Sequence, residues 1–253
     1  MGASVRIVIA RHSCNGYVRR DALALSSRAT LRAPRLIVPS ENNSNVAPSA
    51  RRLFDDSSLI STVQRYRPYI CPFAELIEQV PTGSEVLDIG CGAGLYLGLL
   101  AAQGRIRGGI GFDASLPAIA AAKTMSEKVA PIRLDFRHLG VDQEWPGGTF
   151  DVVSLVDVMH HVPIPVRRDV TRLAAERVRP GGLFIYKDMV RRPLWRAVAN
   201  RAHDLVVARQ WISYEPVEAV EAQCRAIGLE LVHPQDINML WYGHELRVFR
   251  RPA

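Results

Sequence analysis

A chain of 253 residues with 48% hydrophobic side chains suits one domain of about 200 residues plus an appendage, with ample material for a core. The net charge of +7 belongs to the first 52 residues, which hold nine arginines against Asp21 and Glu41, while the remainder balances 23 basic and 23 acidic side chains. Nucleic-acid binding by the folded part therefore loses its main support. Four scattered cysteines (Cys14, Cys71, Cys91, Cys224), with no C-x-x-C pair, argue against a disulfide framework or a zinc site and for a reducing compartment. No stretch reaches the ~18 continuous apolar residues of a membrane span.

Residues 1–50 read as a disordered basic leader, Arg- and Ser-rich, ending in the polar run Pro39-Ser40-Glu41-Asn42-Asn43-Ser44-Asn45. Two readings stay open for it: an extension without a role on a cytoplasmic protein, or an organelle presequence. From Arg51 the chain takes on the pattern of a single domain running to residue 253. Ser57–Tyr66 and Pro72–Gln79 read as short helices within an N-terminal helical region, 51–80, the second with Phe73, Leu76, Ile77 and Val80 on one face.

Beyond Pro81-Thr82-Gly83, strands are expected near 85–89, 108–112, 131–135, 150–156, 183–188, 229–234 and 244–250, and helices near 95–103, 115–128, 165–178 and 215–227. Such alternation predicts an α/β fold: a doubly wound, mostly parallel seven-stranded sheet with helices on both faces. Ligands of such sheets bind beyond the carboxyl ends of the strands, where the strand order reverses. That rule gathers Gly90, Asp113, Asp135 and Asp157 around one crevice.

The stretch Glu85-Val86-Leu87-Asp88-Ile89-Gly90-Cys91-Gly92-Ala93-Gly94 organises the rest. A buried strand, a glycine turn and a helix follow one another, which brings bare backbone against a ligand. A dinucleotide fingerprint wants G-x-G-x-x-G, but here the spacing is G-x-G-x-G and the third-glycine position is Leu95. An acid, Asp113, ends the second strand 19 residues after Gly94, where a carboxylate accepts hydrogen bonds from ribose hydroxyls.

The run Asp88-x-Gly90-x-Gly92-x-Gly94 resembles the first motif of class I S-adenosylmethionine-dependent methyltransferases of the small-molecule type. The resemblance covers roughly residues 53–250. Ile132-Arg133-Leu134-Asp135-Phe136 resembles the third-strand motif, Phe150 to Val162 the fourth, and Arg179-Pro180-Gly181-Gly182-Leu183-Phe184-Ile185 the turn and fifth strand. The resemblance implies S-adenosyl-L-methionine as cofactor, and an antiparallel last strand beside the fifth. It places Asp88, Gly90, Cys91, Gly92, Gly94, Asp113, Ala114, Asp135, Phe136 and Asp157 around the cofactor, Asp135 and Phe136 flanking adenine. The N-terminal helices would either close over it, which makes Arg65 and Tyr66 candidate lid contacts, or pack on the sheet edge with Tyr66 as a wedge. Residues 189–214 form an insertion expected to cap the substrate. Its Arg191, Arg192, Arg196, Arg201 and Arg209 are either a solvated face or contacts for an anionic substrate, and the insertion is compatible with an aromatic or carrier-bound acid.

Methyl transfer needs a base only when the nucleophile is protonated, as a phenol or alcohol is. His160 and His161 follow the fourth strand at the mouth of the crevice, and histidine titrates near neutrality. His161 is the first candidate for the proton acceptor, then His160, with Asp157 on the methionine side of the cofactor and His203 a further candidate base. Lys187 and Asp188 either face the substrate or pair with each other. No set of acids with an amide surrounds Asp157, so no metal is expected. The function implied is methylation of a small molecule at a hydroxyl oxygen. Transfer to carbon or nitrogen, or a non-catalytic cofactor-binding regulator, are the alternatives.

Overall fold

The fold is built outward from strand β1 (Ser84–Ile89), whose Val86, Leu87 and Ile89 are wholly buried. Helices cover the strand on both faces, which is why it reads as a continuous apolar run instead of an alternating one. The computed structural model describes residues 46–190, 215–240 and 242–253. Parallel neighbours β2 (Ile106–Asp113) and β4 (Phe150–Val156) flank β1, with Leu87 opposite Ile110 on one side and Val153 on the other. β3 (Arg133–His138) pairs parallel to β2, and β5 (Val178–Met189) parallel to β4. β7 (Tyr242–Arg250) runs antiparallel between β5 and β6 (Glu230–Met239), giving the order β3-β2-β1-β4-β5-β7-β6. The seven-stranded, mostly parallel sheet and its antiparallel last strand are as expected.

Two apolar layers sandwich the sheet. One contains Leu53 of α1 (Val46–Leu53), Ile60 of α2 (Leu59–Tyr66), Leu76 of α3 (Phe73–Glu78), Leu97 of α4 (Leu95–Ala102) and Met125 of α5 (Leu116–Ser126). The other is formed by α6 (Ile164–Glu176) and α7 (Val217–Ala226), through Val170, Ala174, Val220 and Cys224. Helix α4 is buried from Leu95 to Ala101 because sheet, α1, α3 and α5 surround it, so it shows no amphipathic stripe. Removing a side chain such as Leu97 leaves a cavity in this layer and costs about 2–5 kcal/mol. Capping sets the starts of two neighbours: Ser58 Oγ accepts from Ser61 N–H before α2, and Ser115 Oγ from Ala118 N–H before α5.

Three expectations need correction. The folded region begins before Arg51: Val46 and Ala50 belong to α1 and are buried in the same layer as Leu97. Strand β3 is displaced towards the C-terminus, to Arg133–His138, because β2 extends to Asp113 and pairs with it along its whole length. β6 runs to Met239 and β7 begins at Tyr242, longer than their apolar patterns suggest, because each strand satisfies the other's backbone groups. The leader up to residue 45, the cap arginines from Arg191 to Arg209 and His203 lie outside the described residues.

Candidate active site

At the carboxyl end of β1 the chain turns through Gly90, Gly92 and Gly94, all with positive φ (68°, 54° and 78°), before α4 starts. A Cβ on Gly90 would stand 2.6 Å from Val158 Cγ2, and one on Gly94 2.6 Å from Phe136 Cζ. Bareness at these two positions lets the loop pack against its own protein. At Gly92 a Cβ would meet nothing within 4 Å, so the middle of the loop faces open space.

Asp113 ties this loop to α5. Its Oδ2 accepts from Gly92 N–H at 2.9 Å and its Oδ1 from Ser115 N–H at 2.8 Å. Loop and acid border a crevice of about 400 Å³ whose wall includes Gly90, Asp113, Ala114, Leu139, Asp157 and His161. The volume falls within the roughly 300–1,000 Å³ of small-molecule sites. It lies between β2, β1 and β4, where the connections from β1 diverge to opposite sides of the sheet.

Several expected residues do not line this wall. Asp88 is 2% exposed beneath the loop, where its Oδ1 accepts from Ser154 Oγ at 2.7 Å. Burial pushes its carboxyl up to about 7, against the Ser154 hydroxyl and the Arg67 charge. Cys91 is buried, and its main-chain N–H donates to Phe112 O. Phe136 is buried beside Gly94 and Gly111. Asp135 stands opposite Ile110, three positions short of the His138–Asp113 pair at the strand end, and is bridged to Arg137 on the exposed face. The crevice wall on this side is made instead by Leu139 and Val141, just past β3. The family resemblance and the carboxyl-end rule placed Asp135 at the crevice, but only pairing with β2 shows where the strand stops.

Asp157 lies on the crevice wall in a left-handed conformation (φ 58°) unusual for a non-glycine residue. Its N–H donates to Lys187 O at 2.8 Å. Lys187 Nζ reaches its Oδ1 at 2.5 Å, and Arg67 its Oδ2 at 3.0 Å. Burial alone would raise the Asp157 carboxyl, but Lys187 and Arg67 overcome it and hold the group well below the usual carboxylate range. A carboxylate so stabilised is a fixed charge and a poor proton acceptor. Arg67 follows the candidate pair Arg65 and Tyr66. Arg65 instead bonds the carbonyls of Phe54 and Asp56, and Tyr66 is exposed. No spacing rule distinguishes Arg67, because its partner is 90 residues away.

Lys187 and Asp188 do not pair, since successive strand residues point to opposite faces. Asp188 accepts from the His160 ring Nδ1 at 2.5 Å, from His160 N–H at 3.2 Å and from Met189 N–H at 2.7 Å. His160 is thus buried and anchored, whereas His161 is exposed on the crevice wall, its ring centroid 4.1 Å from that of His160. Among the described residues, no three His, Cys, Asp or Glu side chains are grouped to hold a metal ion, and no helix is long and apolar enough to cross a membrane.

The sheet order, glycine loop and carboxyl-end crevice together define a class I, Rossmann-like methyltransferase fold. The family model described as a methyltransferase domain matches residues 63–234. The chain belongs to this family, as an S-adenosylmethionine-dependent methyltransferase of class I. A ubiquinone biosynthesis O-methyltransferase of Bradyrhizobium diazoefficiens is 41% identical over 80 residues, 32% of this chain and 30% of the relative. One from Pseudomonas aeruginosa is 36% identical over 84 residues, 32% of this chain and 34% of the relative. The chain thus matches about a third of the length of these curated relatives. Among solved structures, the magnesium protoporphyrin IX methyltransferase of Synechocystis with bound S-adenosylmethionine superposes with a TM-score of 0.58 at 17% identity, covering 83% of this chain and 92% of that one. The N-methyltransferase NodS of Bradyrhizobium japonicum, in complex with S-adenosylhomocysteine, gives 0.58 at 18% identity, covering 83% and 100%.

The residues present fit the cofactor. Open space over Gly92 leaves room beside the main chain, and the Asp113 carboxylate has about four lone-pair sites, of which Gly92 and Ser115 use two.

Proposed function

We propose that the protein methylates a small molecule at a hydroxyl oxygen, with His161 as proton acceptor. The observation that carries this reading is the position of His161: exposed, on the wall shared by Gly90, Asp113 and Asp157. Gly90, Gly92, Asp113 and Ala114 would hold the cofactor, with Leu139 and Val141 replacing Asp135 and Phe136 at its adenine end. When bound, S-adenosylmethionine supplies an activated methyl group on a sulfonium sulfur. The chain aligns the acceptor oxygen with that carbon. S-adenosylmethionine would give up the methyl group and leave as S-adenosylhomocysteine, while the hydroxyl proton would pass to the His161 imidazole and from there to water. His160, fixed by Asp188, keeps the neighbouring ring in place, and the Asp157 charge stays constant through the reaction. The curated relatives are named for O-methylation in ubiquinone biosynthesis, which supports an oxygen acceptor.

The test is a screen of small hydroxylated compounds with the protein and S-adenosylmethionine. Acceptors are detected by the mass gain of one CH2 unit together with release of S-adenosylhomocysteine. Methylation confined to amines or carbon acids, or cofactor binding without any turnover, would set the hydroxyl reading aside.

A further inference from the structure

The crevice over β2, β1 and β4 reaches Asp157, and beyond it lie the carboxyl end of β5 and the start of β7. There His244 is 2% exposed, and neither of its ring nitrogens has a hydrogen-bond partner among the described residues. Main chain at Ile70 stands close to the ring without closing a hydrogen bond. An orphaned imidazole in a folded interior is costly, since each unsatisfied group forfeits its hydration.

His244 pairs with Met189 across β5–β7 and with Ile237 across β6–β7. Directly opposed residues share a face, so His244 lies on the side of the sheet that carries Lys187, two residues before Met189. That side holds the Lys187–Asp157–Arg67 ion cluster, which reaches the crevice through Asp157. The Tyr242 ring stacks on the same face at 6.3 Å from His244, giving the imidazole an aromatic neighbour. Burial and the nearby Lys187 charge hold the ring well below its usual pKa despite Asp157, so it stays neutral, with one N–H to donate and one lone pair to accept.

We infer that His244 recognises the methyl acceptor, hydrogen-bonding an oxygen substituent of it on the β5–β7 side of Asp157, opposite the cofactor crevice. This rests on the methyltransferase reading above and adds to it the place and the polar character of the acceptor subsite. An oxygen-bearing aromatic compound matches both features, the polar group meeting His244 and the ring lying near Tyr242.

The probe is phenol, with toluene as a control of equal size that lacks the oxygen. Full-length protein with 15N-labelled histidines is titrated with each, and the ring nitrogens are followed by NMR, His244→Phe assigning the His244 signals. Phenol should shift the His244 ring nitrogens and toluene should not. No shift at His244, or an equal shift from toluene, overturns the inference. With an acceptor from the screen, His244→Phe should raise KM roughly fivefold to tenfold at nearly constant kcat, and His244→Gln should recover part of the loss. His244→Phe should also melt no lower than wild type, since it removes two unsatisfied atoms, whereas unchanged KM in that folded variant overturns the inference. The two readings fail separately. If no methyl acceptor is found but phenol still shifts His244, only the activity is wrong. If an acceptor is methylated with KM indifferent to His244→Phe, only the subsite is wrong.

Discussion

Asp113→Ala tests the site at the point where loop and crevice meet. The carboxylate accepts from Gly92 N–H at 2.9 Å and from Ser115 N–H at 2.8 Å, so the substitution strips two main-chain donors of a charged acceptor. Hydrogen bonds to charged groups contribute about 1.5–3 kcal/mol each when buried. Asp113 is partly exposed and water can replace it, which lowers the figure to about 1 kcal/mol per bond. The resulting ~2 kcal/mol corresponds to a fall in melting temperature of about 4–8 °C for a chain of this size. Cofactor affinity should suffer separately. The two remaining lone-pair sites no longer receive cofactor hydroxyls, and the Gly92 turn is no longer held open. A loss of at least ~1.4 kcal/mol, or tenfold, is expected. Asp113→Asn should be nearly as harmful. Its amide oxygen can accept one N–H, but its NH2 group must then face the other donor. Calorimetric titration with S-adenosylhomocysteine, alongside thermal melts, measures both effects. Wild-type affinity in a folded Asp113→Ala protein would show that the cofactor does not use this acid.

His161→Ala should lower turnover more than tenfold and abolish the acid-side fall of the pH–rate profile, where a base would be protonated, while S-adenosylhomocysteine affinity stays unchanged; a smaller loss with that fall intact removes His161 as proton acceptor. Asp88 makes a pH prediction. Its folded pKa is raised from 3.8 to about 7, so its contribution is fully present below about pH 4 and is lost as pH rises through about 7. The melting-temperature advantage of Asp88→Asn over wild type should therefore widen across that window, and an advantage constant with pH would mean that the carboxyl titrates normally. Comparing the two variants point by point cancels the similar rise of Glu245, which burial lifts to about 7. Deleting residues 1–50 should lower the melting temperature relative to deleting residues 1–45, because only the longer deletion removes the buried Val46 and Ala50 side chains; equal melts would show that the first turns of α1 add nothing to the core.

The sequence by itself determined the α/β class, the seven strands and the glycine turn after β1. Those features come from local physics: an apolar run, three glycines and an acid 19 residues on are visible without knowing what they touch. It also put Asp113 at the end of β2 and Asp157 just past β4, where the apolar runs stop abruptly. Only the tertiary structure decided the rest. Asp135 was misplaced because the end of β3 is set by the reach of β2, and Asp88 because a strand residue before a glycine turn can point under the loop as readily as into the crevice. His160 and His161 are adjacent in sequence, yet Asp188 draws one into the interior and leaves the other on the wall. Arg67 and His244 carried no local signal, because their surroundings are assembled from segments up to 177 residues apart, as Arg67 and His244 themselves are in the chain. Ion pairs and orphaned polar atoms are properties of such assemblies, and periodicity in the chain does not encode them.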